Sequence, residues 1–375
     1  MHRSRTLAAA VVALLALALA AGTASAGRST GLRFNAQSQS WVSPQHGWLL
    51  GSVACGSTTC TQVLRTTDGG TTWKTLGGLA APLTNEDANG LTELRFADDL
   101  HGWAYGPGLW STNDGGSTWQ PQTLAGGLPV AALAANAEVA YAVASACDVS
   151  TPLDACRHGM TLWRTTPGSG TWTQVSLRLP IQNAGTVAVS GSVAYLAIPT
   201  PGAKAADAFF ATTDGLTWST RPDPCLAVDG EYMSSVAPVS ATQVALLCQA
   251  DIGFGYAHKV VFRSNDTART TANAGTLPQY GIVSQLTATP NGTLLVASFS
   301  IGSWIYRNAG GQTWTTSEDL GDGGIGWNDI LFTTDQVGYV IHGPAFCCGM
   351  HGPGELWKSI DGGSTWRQVN VAPQP

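Results

Sequence analysis

An all-β fold, a seven-bladed β-propeller of four-stranded antiparallel blades, is predicted by three observations. A motif ending in tryptophan recurs along the chain. It reads RTTDGGTTW to Trp73, STNDGGSTW to Trp119, RTTPGSGTW to Trp172, ATTDGLTW to Trp218, RNAGGQTW to Trp314 and KSIDGGSTW to Trp366, with a worn copy, RSNDTARTT, ending at Thr271. The copies stand roughly 50 residues apart, a period that belongs to stacked repeats and not to separate domains. Each copy follows a strand–turn–strand pattern, as in LTELRFADDLHGWAYGPGLWST. Each repeat therefore supplies four strands, and such units close into a ring. Composition agrees: 45 Gly and 14 Trp stand against only 11% charged residues, a balance of turn and strand formers.

In chain order, residues 1–26 read as an export leader: Arg3 and Arg5, an apolar run over 7–21, then Ala24-Ser25-Ala26, with cleavage expected after Ala26. The run is short for a membrane span, which needs about 20 residues. A soluble, secreted monomer is expected, with residues 27–375 as a single domain. The blades are expected at about 33–78, 79–126, 127–178, 179–224, 225–275, 276–317 and 318–375. Residues 34–43 read as the innermost strand of blade 1 and residues 366–371 as the outermost strand of blade 7. That arrangement closes the ring without a long strand swap.

The repeated motif has the chemistry of a tight hairpin. Asp-Gly and Gly-Gly supply turn positions with positive φ. Asp68, Asp114, Asp214 and Asp361 are placed to accept hydrogen bonds from turn N–H groups, and Trp73, Trp119, Trp218 and Trp366 then pack on the following strand. Acid catalysis or calcium binding is the alternative for these aspartates. A turn lock is the reading their local bonding habit favours. Pro167 and Ala309 replace the aspartate in two copies.

These hairpins resemble the Asp-box, or bacterial neuraminidase repeat, at 68–73, 114–119 and 361–366 most closely. The phrases FADDLHGWA and HGWLLG ahead of them are similar to propellers of the photosystem II stability and assembly factor family. Similar boxes occur in sialidases, sortilin and xyloglucan-degrading hydrolases. The resemblance implies a propeller whose boxes lie between third and fourth strands, away from the ligand face, and an assembly-factor-like role in recognising a protein or peptide segment.

Eight cysteines in an exported chain read as disulfides. Nearest-neighbour pairing gives Cys55/Cys60, Cys147/Cys156, Cys225/Cys248 and Cys347/Cys348, though eight cysteines allow 105 connectivities. In an up-and-down blade all of them fall on the face opposite the Asp hairpins. Cys347 and Cys348 lie in HGPAFCCGMHGPGELW, the expected 2–3 hairpin of blade 7. A vicinal disulfide stiffens that hairpin on one reading. On the other, His342, Cys347, Cys348 and His351 hold zinc or copper.

Net charge is −6, which argues against nucleic acid and anionic membranes as partners. No G-x-S-x-G or H-E-x-x-H motif is present, and no cofactor is expected. Sialidase chemistry needs an arginine triad. Arg65, Arg164, Arg263 and Arg307 precede hairpins and so face the other rim, while Arg33, Arg95, Arg157, Arg178, Arg221, Arg269 and Arg367 form no evident triad. Carboxylates on the ligand rim are Glu86, Asp87, Asp229, Glu231, Glu318, Asp319, Asp322 and Asp329; two at glycosidase spacing would make a hydrolase acting on extracellular glycans. Aromatics near the starts of innermost strands, Tyr232, Tyr280 and Trp327, with Glu231 and Asp329 beside them, point instead to a recognition mouth. A non-catalytic scaffold binding an extracellular protein, peptide or glycan is the expected function.

Overall fold

A computed structural model describes residues 33–145, 147, 159–200, 206–228, 231–323, 325–343 and 353–374. They form seven sheets of consecutive antiparallel strands, six of four strands and one of five, which is the predicted seven-bladed β-propeller. From blade 1 to blade 7 the inner strands are Asn35–Trp41, Glu93–Phe96, Val130–Ala135, Thr186–Ser190, Tyr232–Pro238, Val283–Ala288 and Trp327–Phe332. The export leader lies outside the described residues. Among those residues no helix is long and apolar enough to cross a membrane.

Second strands are buried at every position in several blades, as in Ala140–Ala144, Val193–Ile198 and Leu294–Phe299. Their side chains alternate between two faces, and each face meets a different neighbouring blade. This is why these runs read as unbroken apolar stretches. Core clusters accordingly sit between blades: Tyr195 and Phe209 of blade 4 pack with Met233, Leu246 and Cys248 of blade 5. The outer strands are short and exposed, two residues each at Gln120–Pro121 and Thr173–Gln174, a form that offers little edge to other chains.

The turns between third and fourth strands carry a common lock. Asp68 Oδ1 accepts from Thr66 Oγ1 at 2.8 Å and from Thr72 N at 2.9 Å, while Oδ2 accepts from Thr72 Oγ1 at 2.6 Å. These bonds, first among them the Thr72 hydroxyl, lower the carboxyl to about 2. Asp114 and Asp361 repeat the pattern. Asp266, in the worn copy, makes the same bonds to Ser264 and Thr270. Thr267 (φ 58°) and Ala268 (φ 60°) there adopt the conformation that glycines supply elsewhere. Cations preceding three of the turns tie their blades to the next: Arg65 to Asp99, Arg307 to Gly362 O and Lys358 to Gly69 O.

Ring closure departs from the plain form expected. Blade 7 ends with Arg367–Gln368 as its outer strand, but the chain continues, and Pro373–Gln374 pairs in parallel with Trp73–Lys74 as a fifth strand on blade 1. The outer edge of blade 1 was free to accept it. At the inner end, the first and last blades are joined by polar groups from Ser38, Gln39 and Asp329.

Candidate functional site

A cavity of about 440 Å³ opens at the ring's axis, on the face opposite the Asp turns. Its walls are the leading ends of inner strands: Gln37 of blade 1, Thr92 and Glu93 of blade 2, residues 129–131 of blade 3, 183–185 of blade 4, 283–285 of blade 6 and 327–329 of blade 7. Two lining positions lie at breaks in strand register. Pairing skips between Ala36 and Ser38, which sets Gln37 out of the ladder, and between Asn328 and Leu331, where Asp329 takes φ 52°. Such bulges re-aim side chains at sites. Amide side chains of Gln37, Asn85, Asn183, Gln285 and Asn328 line the wall together with Val130, Val283, Phe299 and Trp327.

On the side of blades 7, 1 and 2, the wall is charged. Arg95 Nη2 lies 3.2 Å from Glu93 Oε2 and 3.0 Å from Asp329 Oδ1. Ser38 Oγ donates to Asp329 Oδ2 at 2.7 Å and lies 3.1 Å from Glu93 Oε2. Burial pushes the Glu93 carboxyl up to about 7, with Arg95 opposing the rise and Asp329 adding to it. Burial works against the Arg95 charge, yet Asp329, Tyr105 and Glu93 hold its pKa above the ordinary value. Two carboxylates share one guanidinium, and burial favours the protonated form of Glu93. Asp329 has its acceptors taken by Ser38, Gln39 N and Arg95.

Of the residues picked from sequence, the structure brings Trp327 and Asp329 to this cavity. Trp327 is 1% exposed and packs edge-on against Trp357 and beside His342. Glu231 and Tyr232 begin the inner strand of blade 5 but do not line the cavity. The Glu231 carboxylate is buried against His258 Nδ1, and burial pushes it up to about 8. Tyr280 lies in the connection from blade 5 to blade 6, half-exposed, stacked on Trp304 and tilted against Tyr256. Glu93, Ser38 and Gln39 are not marked by any motif in the sequence, and Arg95 reads there as one arginine among those that form no triad. Their shared signal is position: each lies on an inner strand, with Arg95 and Glu93 two residues apart in ELRF and so on one face.

Two expected disulfides are present, Cys55–Cys60 across the 2–3 hairpin of blade 1 and Cys225–Cys248 from the blade 4–5 connection to blade 5. Cys147 is buried at the cavity wall, and its expected partner Cys156 lies outside the described residues. Cys347, Cys348 and His351 lie outside them as well. His342, the described member of that metal-ligand set, is buried with Nε2 against Asp322 Oδ2 and Nδ1 3.8 Å from Glu355. A second grouping, Asp207, Asp223 and Cys225, has ligand atoms within 4.8 Å of one another. Its sulfur is spent in the bond to Cys248, and Asp207 accepts from the backbone N–H groups of Thr200 and Met233.

No protein-family model matches the chain, and no curated protein matches it. Solved structures do. YCF48 bound to D1 peptide is 17% identical, with 78% of this chain and 86% of that chain covered and a TM-score of 0.48. YCF48 from Cyanidioschyzon merolae is 16% identical over 74% and 85%, with a TM-score of 0.47. An ancestral GH74 enzyme is 14% identical over 91% of this chain and 46% of that chain, with a TM-score of 0.56. The chain thus spans under half the length of that enzyme, and what the two share is the fold.

Proposed function

We propose that this protein is a secreted, non-catalytic propeller that binds an extended polypeptide segment in the axial cavity. The observation that carries the reading is the wall itself. Asn and Gln side chains can offer a donor and an acceptor, and here they share the wall with apolar side chains. Such a wall suits the alternating N–H, C=O and side-chain groups of an extended peptide. The two disulfides fit an oxidising compartment, in keeping with the export leader. The Asp turns, read as Asp-boxes, serve as structural locks on the far face. Selection of a displayed random-peptide library on the purified protein tests the proposal. Selected peptides should bind wild type and lose affinity for Gln37→Ala.

One observation favours a second reading, a glycoside hydrolase. Glu93 and Asp329 both approach the same Ser38 hydroxyl, and Glu93 keeps a proton toward neutrality, as an acid catalyst would. Against this, Arg95 bridges the two carboxylates, and Asp329 Oδ2 is held by Ser38 and Gln39 N. Turnover of aryl glycosides that disappears in Glu93→Gln would establish the enzyme and displace the scaffold.

A further inference from the structure

Phe254 is placed against its own folding preferences. It forms, with Gly255, the two-residue turn between the second and third strands of blade 5, Val244–Gly253 and Tyr256–Ser264. Both turn residues have positive φ, 56° and 82°. That is the turn geometry which selects Asn-Gly, and a bulky side chain there is strained by about 1–2 kcal/mol. The ring gains nothing from burial in return, being 95% exposed. Nor is the turn loose. Gly255 O accepts from Ser300 Oγ at 2.8 Å and from Gly281 N at 3.2 Å, which binds the tip to blade 6. An apolar ring that costs stability, sits in water and is held rigid calls for an explanation outside the fold.

Neighbouring side chains extend it into a ledge. Ile252 is 53% exposed, Ile301 64% and Tyr280 46%. The ledge lies next to the cavity wall: Phe299, which lines the cavity, stands two residues before Ile301, and Ile282 N donates to Phe299 O at 3.0 Å.

We infer that this ledge is the second half of the binding surface, taking a bulky apolar side chain of the polypeptide whose extended segment enters the cavity. The inference rests on the polypeptide reading of the mouth. The ledge's place beside the cavity wall favours that occupant. A second copy brings the same net charge of −6, and an anionic bilayer repels that charge while the ledge offers it no cation. Lys259, on the adjoining strand, is fully buried.

Peptides selected from the displayed library provide the probe, with Phe254→Asn as the variant because Asn fits the turn. The expected result is that selected peptides carry a large apolar residue and bind Phe254→Asn about tenfold or more weakly, while its melting temperature holds or rises. Loss of binding on Gln37→Ala but not on Phe254→Asn overturns the ledge and leaves the mouth standing. Failure to select any peptide removes both. A fall in melting temperature that accompanies the lost binding makes Phe254 a structural residue and overturns the inference. So does Phe254-dependent binding to phosphatidylcholine vesicles, or a Phe254-dependent dimer in light scattering.

Discussion

Gln39 and Asp329 are joined twice across the seam between the first and last blades. Gln39 N donates to Asp329 Oδ2 at 2.7 Å, and Gln39 Nε2 donates to Asp329 O at 2.5 Å. The same carboxylate holds Ser38 and Arg95. Asp329→Ala therefore leaves a largely buried guanidinium with Glu93 as its one anionic partner in this cluster and takes the acceptor from Gln39 N. A loss of about 3–5 kcal/mol is expected, the range for breaking a buried pair, read by urea unfolding. In the Arg95→Ala background the same substitution should cost much less, since the stranded charge is gone.

Glu93 makes stability pH-dependent in an unusual direction. Its carboxyl sits near 7 in the folded ring and at an ordinary 4.5 in the unfolded chain. Between those values the folded state binds more protons, so this contribution is fully present below about 4.5 and is lost as pH rises through 7. Glu93→Gln should flatten the decline in melting temperature across that window. An unchanged slope would mean that Glu93 does not titrate there.

Lys259 supplies the opposite sign. Burial lowers its ammonium from 10.5 to about 7, and its Nζ donates to Tyr280 O at 2.6 Å and Gly281 O at 2.7 Å. Between those pH values the unfolded chain binds the extra proton, so stability should rise with pH. Lys259→Met should abolish the rise and cost about 1–3 kcal/mol by stranding the buried Gly281 O, while Tyr280 O keeps the Tyr306 hydroxyl. Melting curves recorded above neutrality test both effects.

Deleting the residues after Val371 removes the strand Pro373–Gln374 and uncovers the edge of Trp73–Thr75. The ring's inner seam is untouched, so the truncated chain should fold. It should unfold faster than the full chain in a denaturant jump, because the clasp joins elements at opposite ends of the sequence. Equal unfolding rates would show the clasp to be idle.

The repeats make the fold legible because every blade must solve the same packing problem, and Trp and Gly mark the solution at a fixed interval. The turn at Asp266 shows the limit of that legibility. Gly and Trp are missing there, so the copy reads as worn, yet the Asp lock that holds the turn is intact. The site is less legible for a geometric reason. Ser38, Arg95 and Asp329 meet only because blades 1, 2 and 7 converge at the axis, and no local pattern records that meeting. Bulges at Gln37 and Asp329 decide which side chains turn inward, and neither is marked by glycine. The local pairs Cys55–Cys60 and Cys225–Cys248 could be matched from spacing, whereas Tyr280 reads as a mouth residue and lies out on the rim.

The fifth strand on blade 1 also orders events in time. Residues 373–374 complete a sheet whose other strands lie about 300 residues earlier in the chain. Blade 1 therefore keeps an uncovered outer edge while the six blades that follow it are made. Contacts of such separation form slowly, and any other strand that reaches that edge first competes with the clasp.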